Sequence, residues 1–253
     1  MKGERTLYYS SFDDDFFGDG KGHILKEDYR FIKSDLFSKI MSAVIYTLAL
    51  IFSNVYCRVF LHLKIVGAKK LRRHKGKVFI YANHTQPIGD VFNPALCAFP
   101  KRIYTVVSAA NMDLKGIGKI LYFLGALPIP SSIKKLKSFE DAVFKRAERH
   151  PIVIYPEAHL WEYYTKIRPF KDTSFKYPAK LNADVFVLTS TYQKSKFFKK
   201  PSLTLYVDGP YKSGCQNVKQ RQSELCSLVS RKMTERSAQS NFEYIKYKKR
   251  ESF

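Results

Sequence analysis

Hydrophobic and polar positions along this 253-residue chain fall into two regimes. From Ser34 to Leu63 apolar residues dominate at helical spacing, and no charge interrupts them between Ile40 and Ser53. That uncharged core falls short of the ~20 apolar residues of a comfortable membrane span. Continuing it to Leu63 admits Asn54, Arg58 and His62. The segment reads as one or two helices lying in, or dipping into, a membrane leaflet. Its length leaves open a buried helix of a soluble domain and, less readily, a single true span.

After a basic connector, Gly67 to Lys77, the period changes. Val78 to Tyr81 reads as a buried strand, Arg102 to Val107 as a second, and Leu114 to Leu124 as a short helix bounded by Gly125. Ile133 to Arg149 is a lysine-rich amphipathic helix. Ile152 to Tyr155, Asp184 to Ser190 and Leu203 to Val207 supply three more strands, and 217–237 forms a polar helix with a thin apolar stripe. Strands alternating with helices predict an α/β fold, a mainly parallel mixed sheet covered by helices on both faces. The organisation is then a leader over 1–33, a membrane-associated helical segment over 34–63, and an α/β domain over 64–253.

The leader reads as poorly ordered or surface-lying. Its run Asp13, Asp14, Asp15, Gly18, Asp19, Gly20 has the composition of a calcium loop. However, it puts Phe17 at a ligand position and Ile24 where the bidentate glutamate belongs, so it reads as a solvated acidic turn.

Composition narrows the function classes. With 45% hydrophobic and 15% aromatic residues the chain is not disordered, and with one long apolar run it is not a multi-span protein. Cys57, Cys97, Cys215 and Cys226 show no paired spacing, which predicts a reducing compartment rather than a disulfide framework. The N-terminus lacks a signal-peptide pattern. There is no GxSxG, P-loop lysine, GxGxxG or HExxH motif, and six scattered histidines give no metal-ligand spacing.

Charge narrows them further. The formal net charge is +22; up to Lys39 there are seven basic and eight acidic residues, against 37 and 14 in the remainder. Such a surface seeks a polyanion. The run GAKKLRRHKGK lacks any nucleic-acid-binding motif around it, so an anionic membrane surface is the expected partner and nucleic acid is not.

Two strand ends carry chemistry. His84 directly follows VFIYAN, while Glu157 and His159 directly follow PIVIYP. In an open parallel sheet the carboxyl ends of the strands share one edge, where ligand crevices form, so these residues are candidates for an acid/base site. Singly, each has an ordinary alternative: His84 as a loop hydrogen-bonder, Glu157 as a helix N-terminal charge.

The run from Val66-Gly67-Ala68 through Val78-Phe-Ile-Tyr-Ala-Asn83-His84 resembles the approach to the first motif of the 1-acylglycerol-3-phosphate acyltransferases, the PlsC-like glycerolipid acyltransferase family. Asp90 stands for that motif's aspartate. Gly125-Ala-Leu-Pro-Ile129 resembles the second motif, Tyr155-Pro156-Glu157 the opening of the third, and Pro169-Phe170-Lys171, Ala179 and Val185 to Leu188 the region that follows. The resemblance spans roughly residues 64–192. It implies an O-acyltransferase, with a helical N-terminal piece on the cytoplasmic face of a membrane, acting in phospholipid biosynthesis or remodelling.

A fatty acyl group would pass from a thioester, acyl-CoA or acyl carrier protein, to the hydroxyl of a lysophospholipid or related glycerolipid. His84 would be the general base, Asp90 would hold its tautomer, and backbone N–H groups would meet the oxyanion. Asn83, Glu157, His159, Arg168 and Lys171 are implied on the substrate side, with no metal, cofactor or acyl-enzyme.

Three departures from the family pattern matter. Five residues, not four, separate His84 from Asp90; Pro87 and Gly89 mark a turn in which the extra residue can bulge. Asn93-Pro94 reads as a helix start, which would make Asp90 a capping carboxylate on the plainer reading. The arginines expected after Glu157 and near Ile129 are missing, and Lys134, Lys135, Arg168 or Lys171 would have to replace them, a gap that disfavours lysophosphatidate as acceptor. Trp161, Tyr163, Tyr164, Lys166 and Arg168 interleave aromatics with cations, fitting a headgroup interface or packing against the domain equally well. These departures also support an alternative, a catalytically silent lipid-binding relative.

Overall fold

In a computed structural model of the chain, the described residues are 5–16, 24–113, 118–196 and 198–250. The elements run β1 (Arg5–Tyr9), α1 (Leu36–Phe60), β2 (Lys64–Val66), α2 (Ala68–Arg73), β3 (Val78–Ala82), α3 (Gly89–Ala98), β4 (Tyr104–Ser108), α4 (Gly118–Leu124), β5 (Ala126–Ile129), α5 (Ile133–Ala147), β6 (Ile152–Ile154), α6 (Lys176–Leu181), β7 (Asp184–Gln193), β8 (Ser202–Tyr211), α7 (Val218–Ser237) and β9 (Ile245–Lys249). Of the acidic run, Gly18, Asp19 and Gly20 lie outside the described residues, as do 114–117 at the start of the expected helix before Gly125.

Seven strands form one mixed sheet in the order β2-β8-β7-β3-β6-β4-β5. From β7 through β5 every neighbouring pair is parallel; β8 runs antiparallel to β7, and β2 follows β8. The central strand β3 shows why helices cover both faces. All five of its residues are buried, and the period of two sends Val78, Ile80 and Ala82 into one core cluster and Phe79 and Tyr81 into the other. The first cluster is closed by Leu71 of α2, Ala95 and Ala98 of α3, and Cys57 of α1. The second is closed by Phe139 and Val143 of α5 and by Leu225, Val229 and Met233 of α7, one stripe at four-residue spacing.

Register then sets the working edge. Tyr81 of β3 stands beside Ile154 of β6 in parallel pairing, and His84 and Glu157 each follow three residues later. The two loops therefore emerge side by side.

Helix α1 is a single helix, capped by the Asp35 carboxylate, which accepts from the Ser38 N–H at 2.8 Å. Its 25 residues span about 37 Å at 1.5 Å per residue, so it reaches crossing length despite its short uncharged core. One stripe holds it to the domain: Ser42 and Tyr46 bond Arg102 and the Ile103 N–H, and Cys57 meets Asn93. On the opposite stripe Phe37, Ile40, Val44, Leu48, Ile51, Val55 and Val59 are exposed. A helix buried inside the domain, one alternative left by the sequence, is thus overturned.

The leader is not loose where it is described. Strand β1 pairs in parallel with β9, from Arg5 beside Ile245 to Tyr9 beside Lys249, and Leu25 and Phe31 are buried in the main core. The sequence reading missed this because both strands are short and carry cations, and their pairing joins opposite ends of the described chain.

Candidate active site

The loop after β3 is pinned on every side. The Asn83 carboxamide bonds Ser190 of β7 twice, donating to its carbonyl at 3.1 Å and accepting from its N–H at 2.7 Å. The His84 N–H donates to Glu157 Oε2 at 2.9 Å, and the His84 carbonyl accepts from the Trp161 N–H at 3.1 Å. The Thr85 carbonyl accepts from the Tyr163 N–H and from the Tyr192 hydroxyl, which also meets the Thr85 hydroxyl at 2.7 Å and the Gln86 amide at 3.1 Å. Burial, aided by the nearby Asp90 charge, drives the Tyr192 phenol well above its ordinary pKa, so it stays a donor.

Within this frame His84 Nδ1 lies 2.9 Å from Asp90 Oδ2. The same oxygen accepts from the Thr85 and Gln86 N–H groups, each at 2.9 Å. Asp90 sits in the first turn of α3 and points back along the chain, so the five intervening residues form a closed turn rather than a gap. Helix α3 starts at Gly89, not at Asn93-Pro94: the Asp90 N–H already bonds the Gln86 carbonyl at 3.1 Å, and both later residues lie inside the helix. The carboxylate is nearly buried, at 5% exposure, and the imidazole is 26% exposed. A ring nitrogen facing a carboxylate carries the proton, which leaves Nε2 as the nitrogen with a lone pair to offer.

Tyr155 completes the setting, and the sequence reading passed over it. Its ring lies against that of His84, centroids 4.5 Å apart, and its hydroxyl donates to the Asp90 carbonyl at 2.6 Å. The available signal was its place at the end of β6, directly before Pro156-Glu157.

Three of the five expected substrate-side residues, Asn83, Glu157 and Arg168, face inward. Asn83 is 1% exposed and fully engaged with β7. Glu157 is 6% exposed; Oε2 receives His84 N–H and Oε1 receives Arg168 N–H at 2.8 Å, so the carboxylate ties two loops together. Burial raises its pKa, opposed by Arg168 and by both N–H donors.

Arg168 is 1% exposed, with Nη2 3.7 Å from Glu157 Oε2 and further bonds to the Phe12 and His159 carbonyls. A guanidinium enclosed in this way has no face for a phosphate. His159 Nδ1 pairs with Asp15 of the leader at 3.1 Å, both side chains over a third exposed. Lys171 is exposed. The aromatic stretch packs inward as well: Trp161 is fully buried, stacked on Tyr247 at 4.9 Å, and its indole N–H donates to the Asp14 carbonyl. Among the described residues no group of three His, Cys, Asp or Glu side chains is placed to hold a metal.

No family model and no curated protein matches the sequence. A solved structure does match: the crystal structure of the 1-acyl-sn-glycerophosphate (LPA) acyltransferase PlsC from Thermotoga maritima. The TM-score is 0.56, covering 84% of this chain and 87% of that one, at 14% identity. What the two share at that distance is architecture, and the chain described here is built on the fold of a PlsC acyltransferase.

Proposed function

We propose that the protein is a membrane-associated O-acyltransferase, moving a fatty acyl group from a thioester to the hydroxyl of a lysolipid. The observation that carries this reading is the His84–Asp90 contact of 2.9 Å, with the imidazole partly exposed at the carboxyl edge of the parallel strands. Nε2 of His84 takes the proton from the acceptor hydroxyl as its oxygen attacks the thioester carbonyl. The buried Asp90 carboxylate holds the tautomer and stabilises the imidazolium that forms. The thiolate leaves and takes up the proton, so no acyl-enzyme is needed. The basic surface suits either donor, acyl-CoA or acyl carrier protein, because both are anionic.

The acceptor reading follows from Arg168. With that residue sealed against Glu157, a phosphomonoester would have to rely on exposed lysines such as Lys171, and the bidentate grip of an arginine is missing. The preferred acceptor is therefore a lysolipid with a blocked phosphate or a neutral or sugar headgroup.

For membrane association the geometry of α1 favours lying over crossing. The helix is docked from Ser42 to Cys57, so it cannot leave the domain surface to stand across a bilayer without losing those contacts. Besides its outer stripe, the apolar side chains of Ile88 and Val91, close in sequence to Asp90, are exposed and add greasy surface near the site. Salt screens charge but not apolar burial, so high-salt washing should release little protein from membranes and detergent most. Complete release by salt would sink the in-plane reading.

The direct test incubates the full chain with one acyl thioester and a panel of lysophosphatidate, lysophosphatidylglycerol and a lysoglycolipid, followed by lipid mass spectrometry. Acylation of the latter two in preference to lysophosphatidate is expected. A strong lysophosphatidate preference that is lost in Lys171→Ala would overturn the acceptor reading. Thioester-independent lipid binding with no product would favour a silent lipid-binding protein.

A further inference from the structure

Helix α3 contains a proline where a helix ordinarily has a donor. Pro94 lies inside the helix four residues after Asp90, and in an α-helix the N–H at that position bonds the Asp90 carbonyl. Proline has no N–H, so that carbonyl needs another partner. The Tyr155 hydroxyl supplies it, at 2.6 Å, from the end of β6. Burial holds the phenol well above its usual pKa, with the Asp90 charge adding to the effect, so the hydroxyl stays protonated and can donate.

We infer that Tyr155 and Pro94 work as a pair that positions the His84–Asp90 dyad. Pro94 removes the helix's own claim on the Asp90 carbonyl, and Tyr155 uses that opening to anchor residue 90 to the central sheet. The residue so anchored is the one whose carboxylate receives the imidazole and the Thr85 and Gln86 N–H groups. The same tyrosine lays its ring against the imidazole, 4.5 Å between centroids. One side chain thereby fixes the backbone of the acid and the plane of the base. The Tyr155 bond ties it to β6, the strand paired with β3, so base and acid are referred to one rigid element. Tyr155 is a positioning residue in this scheme, acting through His84 and Asp90.

This inference rests on the acyltransferase reading for its rate effect but not for its geometry, and the test separates the two. Four full-length proteins are compared: wild type, Tyr155→Phe, Pro94→Ala and the double variant. Phenylalanine keeps the ring on His84 and removes only the hydroxyl, while alanine at 94 returns the missing N–H to the helix. Turnover and amide hydrogen exchange at Thr85 and Gln86 are measured on each. Tyr155→Phe should lower kcat about tenfold, a fraction of what an ångström of misplacement can cost, with KM within about twofold. Exchange at both amides should quicken. Pro94→Ala alone should keep exchange at both amides slow, and adding it to Tyr155→Phe should recover most of the rate and the slow exchange, because the carbonyl regains a donor.

A double variant as impaired as Tyr155→Phe overturns the pairing, and so does a Tyr155→Phe protein with wild-type turnover and exchange. If wild type transfers no acyl group, the acyltransferase reading falls while the exchange pattern still decides the pairing.

Discussion

Two loops leave neighbouring strands of the same sheet edge, and each pairs a carboxylate with a basic side chain. After β3, His84 meets Asp90 at 2.9 Å; after β6, Glu157 faces Arg168 at 3.7 Å. The pairs differ in what remains uncovered. The imidazole is 26% exposed, whereas the side chains of Arg168 and Glu157 are 1% and 0% exposed. A pair with one open nitrogen can pass a proton to something outside; a pair with both members enclosed can only hold the protein together. Proximity of acid and base is therefore a poor guide to chemistry at this edge, and access to one partner is the better one.

The largest effect expected from this contrast is on rate. His84→Ala should cost at least about a hundredfold in turnover, the low end for general-base catalysis, with the unfolding transition little changed. Asp90→Asn should also lower the rate severely, since an amide can orient the ring but does not stabilise its cation. Near-normal turnover in His84→Ala would break the comparison at its first half.

The buried pair should respond in stability instead. Glu157→Ala leaves Arg168 enclosed without its counter-charge and should cost about 3–5 kcal/mol in denaturant unfolding. The double change Glu157→Gln with Arg168→Met should recover much of that, because it removes the uncompensated charge. A Glu157→Ala protein as stable as wild type but inactive would place this carboxylate on substrate and erase the distinction.

A smaller effect sharpens it. The His159–Asp15 contact has the same acid–base composition, but both side chains are over a third exposed. Such a pair is worth roughly 0.2–1 kcal/mol at most. His159→Ala should shift the unfolding midpoint only slightly and leave turnover within about twofold. A drop as large as that of His84→Ala would show that His159 works on the acceptor.

The sequence made His84 legible through its place after a strand, and Asp90 through the turn residues Pro87 and Gly89 that let an extra residue fold back. It also made the layered α/β plan legible, because β3, β6 and β7 are short runs bounded by turns and buried on both faces. The fate of Arg168 was not legible. Ten residues separate it from Glu157, and nothing in that spacing says whether a guanidinium reaches solvent or turns inward. Its enclosure depends on the Phe12 carbonyl, contributed from more than a hundred positions away. Tyr155 was hidden for a related reason: its significance depends on a proline in a different element, and neither residue carries a catalytic signature of its own.

Strand β1 lies near one end of the described chain and its partner β9 near the other. During synthesis β1 must wait unpaired until the stretch between Tyr9 and Ile245 has been translated, which takes tens of seconds at roughly 5–20 residues per second. Helix α1 leaves the ribosome early in that interval, with its apolar stripe uncovered. The carbonyls of Phe12 and Asp14, which cover Arg168 and Trp161, gain the support of β9 only once that strand has emerged. Translation order thus presents the apolar stripe of α1 before the clasp on the loop beside the dyad can close.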